Sequence, residues 1–277
     1  MQYKKIIAGR YLVDDLLGTG GYSIVYKAVD MKSNQQVAIK KYKNYDANNR
    51  KRVRDDIERE LNVLRYTSHP GLPHIYNILY EDNEFYLVME FISGRTIAQI
   101  ISSGHRMTKK EVFSISEQIL SALYYLHSLE PPIIYRDMKP DNVIINDDGI
   151  VKLIDFGCAK RFNRDISTDL LAIGTPGFAA PEQYGDNNGR GLYNTNIKTD
   201  IYGVGALMYY MASGNVYNPY KKTTKRHKNA DNNISAKIKE RIYKIRYGRQ
   251  FRKMIEKATR IRPEQRFDSV MEMLKLI

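Results

Sequence analysis

Several features that other protein classes depend on are scarce or missing here. The 277 residues contain no tryptophan and a single cysteine, Cys158, which excludes an intrachain disulfide and argues against a cysteine-based metal site. No apolar run approaches the roughly 20 residues that a helix needs to cross a bilayer. The apolar patch near the start, Ile6–Ala8, is too short for a signal peptide. We therefore expect a cytoplasmic protein without a membrane span.

Acidic residues are also in the minority. The chain has 44 Lys and Arg against 31 Asp and Glu, a net charge of +13. The excess is concentrated in a basic tract, Lys221–Lys253, with 13 Lys or Arg and two acids. The simplest interpretation is a solvated surface. An acidic protein partner, anionic lipid, or nucleic acid bound alongside another activity are the functional alternatives.

The first ninety residues have the pattern of short strands. The predicted strands are Tyr11–Leu17, Ser23–Val29, Gln36–Tyr42 and Phe85–Met89, each rich in β-branched or aromatic residues and bounded by turn residues. One helix is predicted between them, Arg54–Tyr66, because its apolar residues recur at helical spacing.

Beyond Gly94 the pattern becomes helical. Two helices are predicted, Glu111–Ser128 and Ile201–Met211, with short strands at Ile133–Tyr135 and Val143–Ile145 between them. The sequence thus predicts an α+β protein in which a small β-rich lobe with one helix precedes a larger, mainly helical lobe. A cleft between two such lobes is a natural ligand site.

A glycine-rich stretch separates the first two predicted strands. It reads Gly18-Thr19-Gly20-Gly21-Tyr22-Ser23, and its glycines allow backbone N–H groups to approach phosphate oxygens. A plain hairpin turn would have a similar composition. A dinucleotide-binding loop is disfavoured because a strand follows the glycines where that fold requires a helix.

Lys40 ends the apolar strand segment Val37–Ile39, where its ammonium can pair with phosphates. Glu60 follows Ile57 by three residues on the predicted helix and so lies beside its buried stripe, where an unpaired carboxylate is costly. We therefore predict a Lys40–Glu60 ion pair that satisfies both groups and orients the ammonium.

The densest polar cluster directly follows an apolar strand. It reads Tyr135-Arg136-Asp137-Met138-Lys139-Pro140-Asp141-Asn142, and Asp155-Phe156-Gly157 comes 18 residues after Asp137. The cluster offers a carboxylate to accept a hydroxyl proton, a cation for a phosphate, and two oxygen ligands for magnesium. Phosphoryl transfer requires these parts, because its catalysis is mostly positioning and charge neutralisation.

These motifs together resemble those of eukaryotic-type (Hanks-type) serine/threonine protein kinases over roughly residues 10–277. The string from Gly174 to Tyr184, GTPGFAAPEQY, resembles bacterial members in particular. The resemblance implies one bilobal domain with a small lobe at 1–89, a hinge at 90–94 and a large lobe at 95–277. It also implies transfer of the γ-phosphoryl group of ATP to Ser or Thr of protein substrates, with Mg²⁺ or Mn²⁺.

The resemblance further implies a role for individual residues. Asp137 matches the catalytic base and Lys139 the γ-phosphate contact; Lys40 and Glu60 match the small-lobe ion pair. Asn142 and Asp155 match the metal ligands. The residues implied to surround ATP are Leu17, Gly18, Thr19, Gly20, Gly21, Tyr22, Ser23, Val25, Ala38, Lys40, Met89, Glu90, Ile92 and Ile144. Those implied to be structural are Arg136, Glu182, Asp200 and Arg266.

The implied activation segment runs from Asp155 to Glu182. Ser167 and Thr168 are its expected autophosphorylation sites, with Arg136 as the cation that receives the phosphate; ordinary loop hydroxyls are the alternative. Thr175 is expected to support the catalytic loop.

Two residues depart from the family pattern, since Ser23 replaces the third loop glycine and Tyr135 replaces a histidine. We expect activity to survive both changes. Cys158 is expected to be a small buried side chain, with a redox switch as the alternative.

Two rival functions remain. Small-molecule kinases of the aminoglycoside or choline type share the Asp137, Asn142 and Asp155 pattern, but they generally lack a glycine loop of this form and the Gly-Thr-Pro to Ala-Pro-Glu segment. A pseudokinase scaffold should have lost at least one of Lys40, Asp137, Asn142 and Asp155, and all four are present.

Overall fold

The computed structural model describes residues 5–20, 23–43, 64–65, 67–82, 84–162, 174–184, 195–217, 242 and 245–277. Within these residues an antiparallel sheet is followed by a mostly helical region, as the α+β prediction requires. The described strands form one six-stranded sheet and two smaller sheets, of three and two strands.

The strands and helices have the following bounds. The strands are β1 Ile6–Ile7, β2 Tyr11–Thr19, β3 Ser23–Asp30, β4 Gln35–Tyr42, β5 Ile75–Glu81, β6 Glu84–Glu90, β7 Gly94–Thr96, β8 Ile133–Ile134, β9 Val143–Asn146, β10 Val151–Leu153 and β11 Lys160–Arg161. The α-helices are α1 Ile97–Ser102, α2 Lys109–His127, α3 Ile197–Ser213, α4 Arg249–Ala258 and α5 Val270–Leu274. Single 3₁₀ turns lie at Pro140–Asn142, Pro181–Tyr184 and Pro263–Gln265. The strand order is β1-β2-β3-β4-β6-β5 in the large sheet, and β10-β9-β7 and β11-β8 in the two smaller sheets.

Strand β4 lies inside the large sheet and is buried on both faces. Val37 and Ile39 pack on one face with Tyr11 and Val88. Lys40 lies directly opposite Leu87 of β6, and residues opposite each other in a sheet share a face. The strand therefore directs the Lys40 side chain away from the Ile39 cluster and towards the helical region.

Helix α3 forms the centre of the helical region, and its residues are buried almost all round. Two glycines allow close packing. A Cβ at Gly203 would lie 2.7 Å from the Met138 side chain, and one at Gly205 would lie 2.7 Å from Ala258 of α4. Because these positions have no side chain, α3 approaches both the polar loop after β8 and helix α4.

The predicted elements that can be compared agree with the structure within a few residues at their ends. Strand β5 was not predicted. Its exposed residues Tyr76, Ile78 and Tyr80 alternate with half-buried ones that include Asn77 and Glu81. The sequence therefore lacks the alternation of apolar inward and polar outward residues that marks a strand. Most of the predicted helix 54–66, including Glu60, lies outside the described residues.

No helix in the described part of the chain is both long and apolar enough to span a bilayer.

The turn that joins β3 to β4 is closed by Asp30, which is 5% exposed. Both of its oxygens accept from Arg10, at 2.7 Å each, and they also accept from the Lys32 backbone N–H and the Ser33 hydroxyl. The hydrogen bonds from Arg10 hold the pKa of Asp30 well below its usual range, although burial opposes the shift. The Asp30 carboxylate thus connects the end of β3 to Arg10, which directly precedes β2.

We expect Asp30→Asn to lower the free energy of unfolding by about 1.5–3 kcal/mol at pH 7, because charged hydrogen bonds are lost. The pKa of Asp30 is lower in the folded state, so its contribution is present above the unfolded pKa of about 3.9 and fades as the pH falls. Urea titrations of both proteins should therefore give a constant difference near neutral pH that shrinks below about pH 4. The exposed Asp82→Asn control should change stability by less than about 0.5 kcal/mol.

Candidate active site

Asp200 of helix α3 holds the polar loop that follows β8 by hydrogen bonds to its backbone. We call this loop, residues 135–142, the catalytic loop. The backbone N–H groups of Tyr135 and Arg136 donate to the two oxygens of this carboxylate at 2.9 and 2.8 Å. His127 Nε2 of α2 lies 2.8 Å from the same group. Arg136 has a φ of +67°, which is unfavourable outside glycine. Asp200 offsets that cost and fixes the start of the loop.

Asp137 is buried and held on several sides. Its Oδ2 accepts from Lys139 Nζ at 2.7 Å and from Asn142 Nδ2 at 2.8 Å, and its Oδ1 accepts from Thr175 Oγ1 at 3.2 Å. Burial lowers the pKa of Lys139, but the charge and hydrogen bond of Asp137 outweigh it and the pKa lies above its usual value. Lys139 therefore stays cationic beside the carboxylate.

Lys40 reaches the loop that follows β10. Its Nζ lies 2.8 Å from Asp155 Oδ1, and the Lys40 side chain is 8% exposed while that of Asp155 is 45% exposed. The charge of Lys40 lowers the pKa of Asp155 against the effect of burial. The ion pair therefore joins the sheet to the loop that carries Asp155. The predicted partner Glu60 lies outside the described residues, so the Lys40–Glu60 pair stays a prediction.

Asn142 and Asp155 lie on neighbouring segments, because the Ile154 N–H donates to the Asn142 carbonyl at 2.9 Å. The described residues contain no group of three or more His, Cys, Asp or Glu side chains that could hold a metal ion. Mg²⁺ does not need one, since it is commonly held by one or two protein oxygen ligands together with phosphates and water. The amide oxygen of Asn142 and the half-exposed carboxylate of Asp155 could serve as these two protein ligands of Mg²⁺.

Tyr135, which departs from the family pattern, is fully buried. Its hydroxyl donates to the Ile154 carbonyl at 2.5 Å, and its ring packs edge-on against Phe156 with centroids 5.1 Å apart. Burial raises the pKa of this phenol well above its usual value, so it remains a neutral donor. Tyr135 thus braces the segment that carries Asp155.

The residues expected around ATP come from β2, β3, β4 and β6. Val25 lies opposite Lys40, and Ala38 lies opposite Met89, so the four share one face of the sheet. Gly18 pairs with Val25, and the Gly20 N–H donates to the Ser23 carbonyl at 2.8 Å. Of the other expected residues, Leu17 and Thr19 lie on β2, Glu90 ends β6, Ile92 lies between β6 and β7, and Ile144 lies on β9. Gly21 and Tyr22 lie outside the described residues.

The segment after Gly174 is anchored to the rest of the helical region. Both Glu182 oxygens accept from Arg266 at 2.7 and 2.8 Å, and the Arg266 side chain is fully buried. Gln183 Nε2 donates to the Arg136 carbonyl at 2.8 Å. The 3₁₀ turn Pro181–Tyr184 is therefore tied to the catalytic loop. Ser167 and Thr168 lie outside the described residues.

Residues 11–276 match the protein kinase domain family. This chain belongs to the protein kinase family. Similar proteins are a probable serine/threonine-protein kinase of Clostridium acetobutylicum, 32% identical over 216 residues, and the serine/threonine-protein kinase PrkC of Bacillus subtilis, 33% identical over 213 residues. The serine/threonine-protein kinase pkpA of the fungus Phycomyces blakesleeanus is 33% identical over 219 residues.

The alignments cover 78%, 76% and 76% of this chain and 31%, 32% and 34% of those relatives. The chain thus spans about a third of the length of the relatives it matches. The expected family and its fold, an antiparallel sheet followed by a mostly helical region, are confirmed, and the small-molecule kinase alternative loses its support.

The ion pair between Lys152 and Glu90 is one of several in this kinase domain that were not foreseen from the sequence. Lys152 of β10 lies 2.7 Å from Glu90 Oε1, and Glu90 Oε2 accepts from the His74 N–H at 3.1 Å. Glu90 thus connects the end of β6 to two other segments. A lysine on a short strand gives no local signal of such a partner.

Cys158 lies just after the Asp155-Phe156-Gly157 turn and is half-buried. Its carbonyl accepts from Arg136 Nε at 2.6 Å. Burial, and to a lesser extent the charges of Asp137 and Asp155, raises the pKa of the thiol to about 12. The thiol is therefore neutral at physiological pH, which favours the structural interpretation over a redox switch.

We expect iodoacetamide at pH 8 to alkylate Cys158 at least about a thousandfold more slowly in the folded protein than in urea, because the thiolate is the reactive form. Intact-mass spectrometry over time measures both rates without ambiguity, since the chain has one cysteine. Similar rates in the two conditions would show that the folded protein presents an accessible thiolate.

Proposed function

We propose that this chain transfers the γ-phosphoryl group of ATP to serine and threonine hydroxyls of protein substrates. The observation that carries the proposal is the contact of Asp137 with Lys139, Asn142 and Thr175, beside a second carboxylate that pairs with a lysine of the sheet. We also propose that the chain is one kinase domain with a small lobe at residues 1–89, a hinge at 90–94 and a large lobe at 95–277.

In this proposal Asp137 accepts the proton of the acceptor hydroxyl. Two hydrogen bonds to Oδ2 and one to Oδ1 fix the carboxylate, so it needs no reorganisation during the reaction. Lys139 stays cationic and contacts the transferred phosphate. A divalent metal held by Asn142 and Asp155 would neutralise phosphate charge.

Lys40 orients the phosphates from the opposite side of the cleft. Its ammonium is nearly buried, so its electrostatic interactions are screened less than those of a surface lysine. The glycine loop 18–23 covers the phosphates, and the adenine ring lies between Val25, Ala38 and Ile144, with backbone contacts at 90–92.

We also propose that the chain phosphorylates Ser167 or Thr168 on its own activation segment. Arg136 supports this proposal, because its Nε bond to the Cys158 carbonyl holds the guanidinium at the start of that segment. Phosphate there would pair with Arg136 and order the segment.

Asp137→Asn should lower phosphate transfer to casein by about 10²- to 10⁴-fold, since a general base is lost. Transfer is measured with radiolabelled ATP, and nucleotide affinity is measured separately by titration calorimetry and should stay nearly unchanged. Asp141→Asn is the matched control, because Asp141 is an exposed carboxylate of the same loop and should retain activity. If the parent chain binds ATP but transfers no phosphate, it is a pseudokinase and the proposal fails.

Ser167→Ala with Thr168→Ala should lower specific activity roughly tenfold, because one charge-assisted hydrogen bond to phosphate is worth about 1.5 kcal/mol or more. Mass spectrometry of the parent protein after incubation with ATP should find phosphate on this pair. Ser102→Ala with Ser103→Ala, two adjacent exposed hydroxyls of the α1 end, is the control. Unchanged activity in the first double variant would reject these residues as regulatory phosphosites.

A further inference from the structure

Helix α4 presents a row of cations on its outer side. Its apolar residues Phe251, Met254 and Ile255 are buried, while Arg249, Lys253 and Lys257 are exposed. The three cations are spaced four residues apart, so they form one stripe with steps of about 6 Å and a length of about 12 Å. The stripe lies at the end of the basic tract and continues beyond it.

The stripe borders a cavity of about 520 Å³, which we call the α4 groove. Apolar side chains line its floor. Met254 and Phe267 are 1% and 3% exposed, and Leu276 is 37% exposed. The groove therefore combines an apolar floor with a cationic rim, and its volume is that of a site for a few side chains.

Two of the three rim cations have no acidic partner among the described residues. Neither Arg249 nor Lys253 forms an ion pair with any residue that the structure describes. Lys257 lies 3.7 Å from Glu272 and stacks 4.3 Å from the ring centre of Phe267. Residues 245–262 contain seven Lys or Arg and one acid, Glu256, which contacts Arg260 at 3.1 Å.

We propose that the α4 groove docks an acidic segment of a protein partner that inserts one apolar side chain. The partner's carboxylates pair with Arg249, Lys253 and Lys257, and its apolar side chain covers the floor. Rim charges of this kind set association rate and specificity, whereas a desolvated anchor supplies most of the binding energy. The charge complementarity selects an acidic partner, and the floor selects one with an apolar anchor.

Other anionic partners fit the groove less well. A bilayer would contact the cations, but Met254 and Phe267 lie below the rim and do not reach hydrocarbon. A nucleic acid would pair its phosphates and leave the apolar floor unfilled, and Lys257 covers one face of Phe267, which hinders base stacking. The docking surface shares no residue with the proposed active site, so its binding does not depend on catalysis.

Binding is tested with the full 277-residue chain and a short fluorescein-labelled peptide of glutamates around one central phenylalanine, read by fluorescence anisotropy. Lys253→Glu should weaken binding about tenfold or more, whereas Lys110→Glu, the same change at an exposed site on α2, should alter it less than about twofold. Circular dichroism checks that both variants fold, which their exposure favours.

The floor is tested in the same assay. Serine in place of the peptide's phenylalanine should weaken binding about tenfold. Leu276→Ser should weaken binding of the phenylalanine peptide and leave the serine peptide unaffected, since the two changes remove the same contact. Asp137→Asn should bind the peptide as tightly as the parent chain, which separates this inference from the proposed activity.

Two results would overturn the proposal. Equal losses for Lys253→Glu and Lys110→Glu would show that the peptide responds to net charge alone. Binding to phosphatidylserine vesicles or duplex DNA, with no measurable peptide binding, would assign the stripe to a membrane or to nucleic acid.

Discussion

The buried carboxylate of Asp200 accepts hydrogen bonds from two consecutive backbone N–H groups, those of Tyr135 and Arg136. A carboxylate that is 1% exposed is tolerated only with such partners, and the strained backbone of Arg136 persists only because Asp200 holds it. The Arg136 carbonyl in turn accepts from Gln183. The geometry of the catalytic loop and of the turn after Ala180 therefore depends on the hydrogen bonds between this loop and the Asp200 carboxylate of α3.

The parts of the site that lie close together in sequence could be predicted from the sequence. Asp137, Lys139 and Asn142 fall within one short loop after an apolar strand, so their chemistry is apparent before any fold is known. Lys40 and Asp155 are 115 positions apart and Glu182 and Arg266 are 84 apart. Local patterns carry no information on such contacts, and only the family resemblance pointed to the second pair.

Helix α4, strand β5 and the Glu90–Lys152 ion pair were not predicted from the sequence, each for a different reason. Helix α4 buries Phe251, Met254, Ile255 and Ala258, a regular helical spacing that was available but was overlooked within the charge of the basic tract. Strand β5 gave a weak signal, because its exposed face is apolar while its half-buried face includes Asn77 and Glu81. The Glu90–Lys152 pair depends on how the hairpin of β9 and β10 meets the end of β6, and a single sequence does not determine that arrangement.

Each of the two carboxylates of the site, Asp137 and Asp155, has the ammonium group of a lysine in direct contact. Carboxylates that share a site normally raise each other's pKa, yet the pKa of Asp155 is lowered because Lys40 pairs with it, and Lys139 lies against Asp137. Burial and the same two carboxylates raise the pKa of the Cys158 thiol, and the charges of Arg136 and Lys139 offset only part of this rise. The Lys139–Asp137 pair lies within the catalytic loop, whereas the Lys40–Asp155 pair joins the sheet to the loop after β10 and forms only when these two parts are packed together. An arrangement that places two carboxylates beside two ammonium groups is suited to a ligand that brings phosphate and a metal ion together, because each charged group then meets an opposite charge.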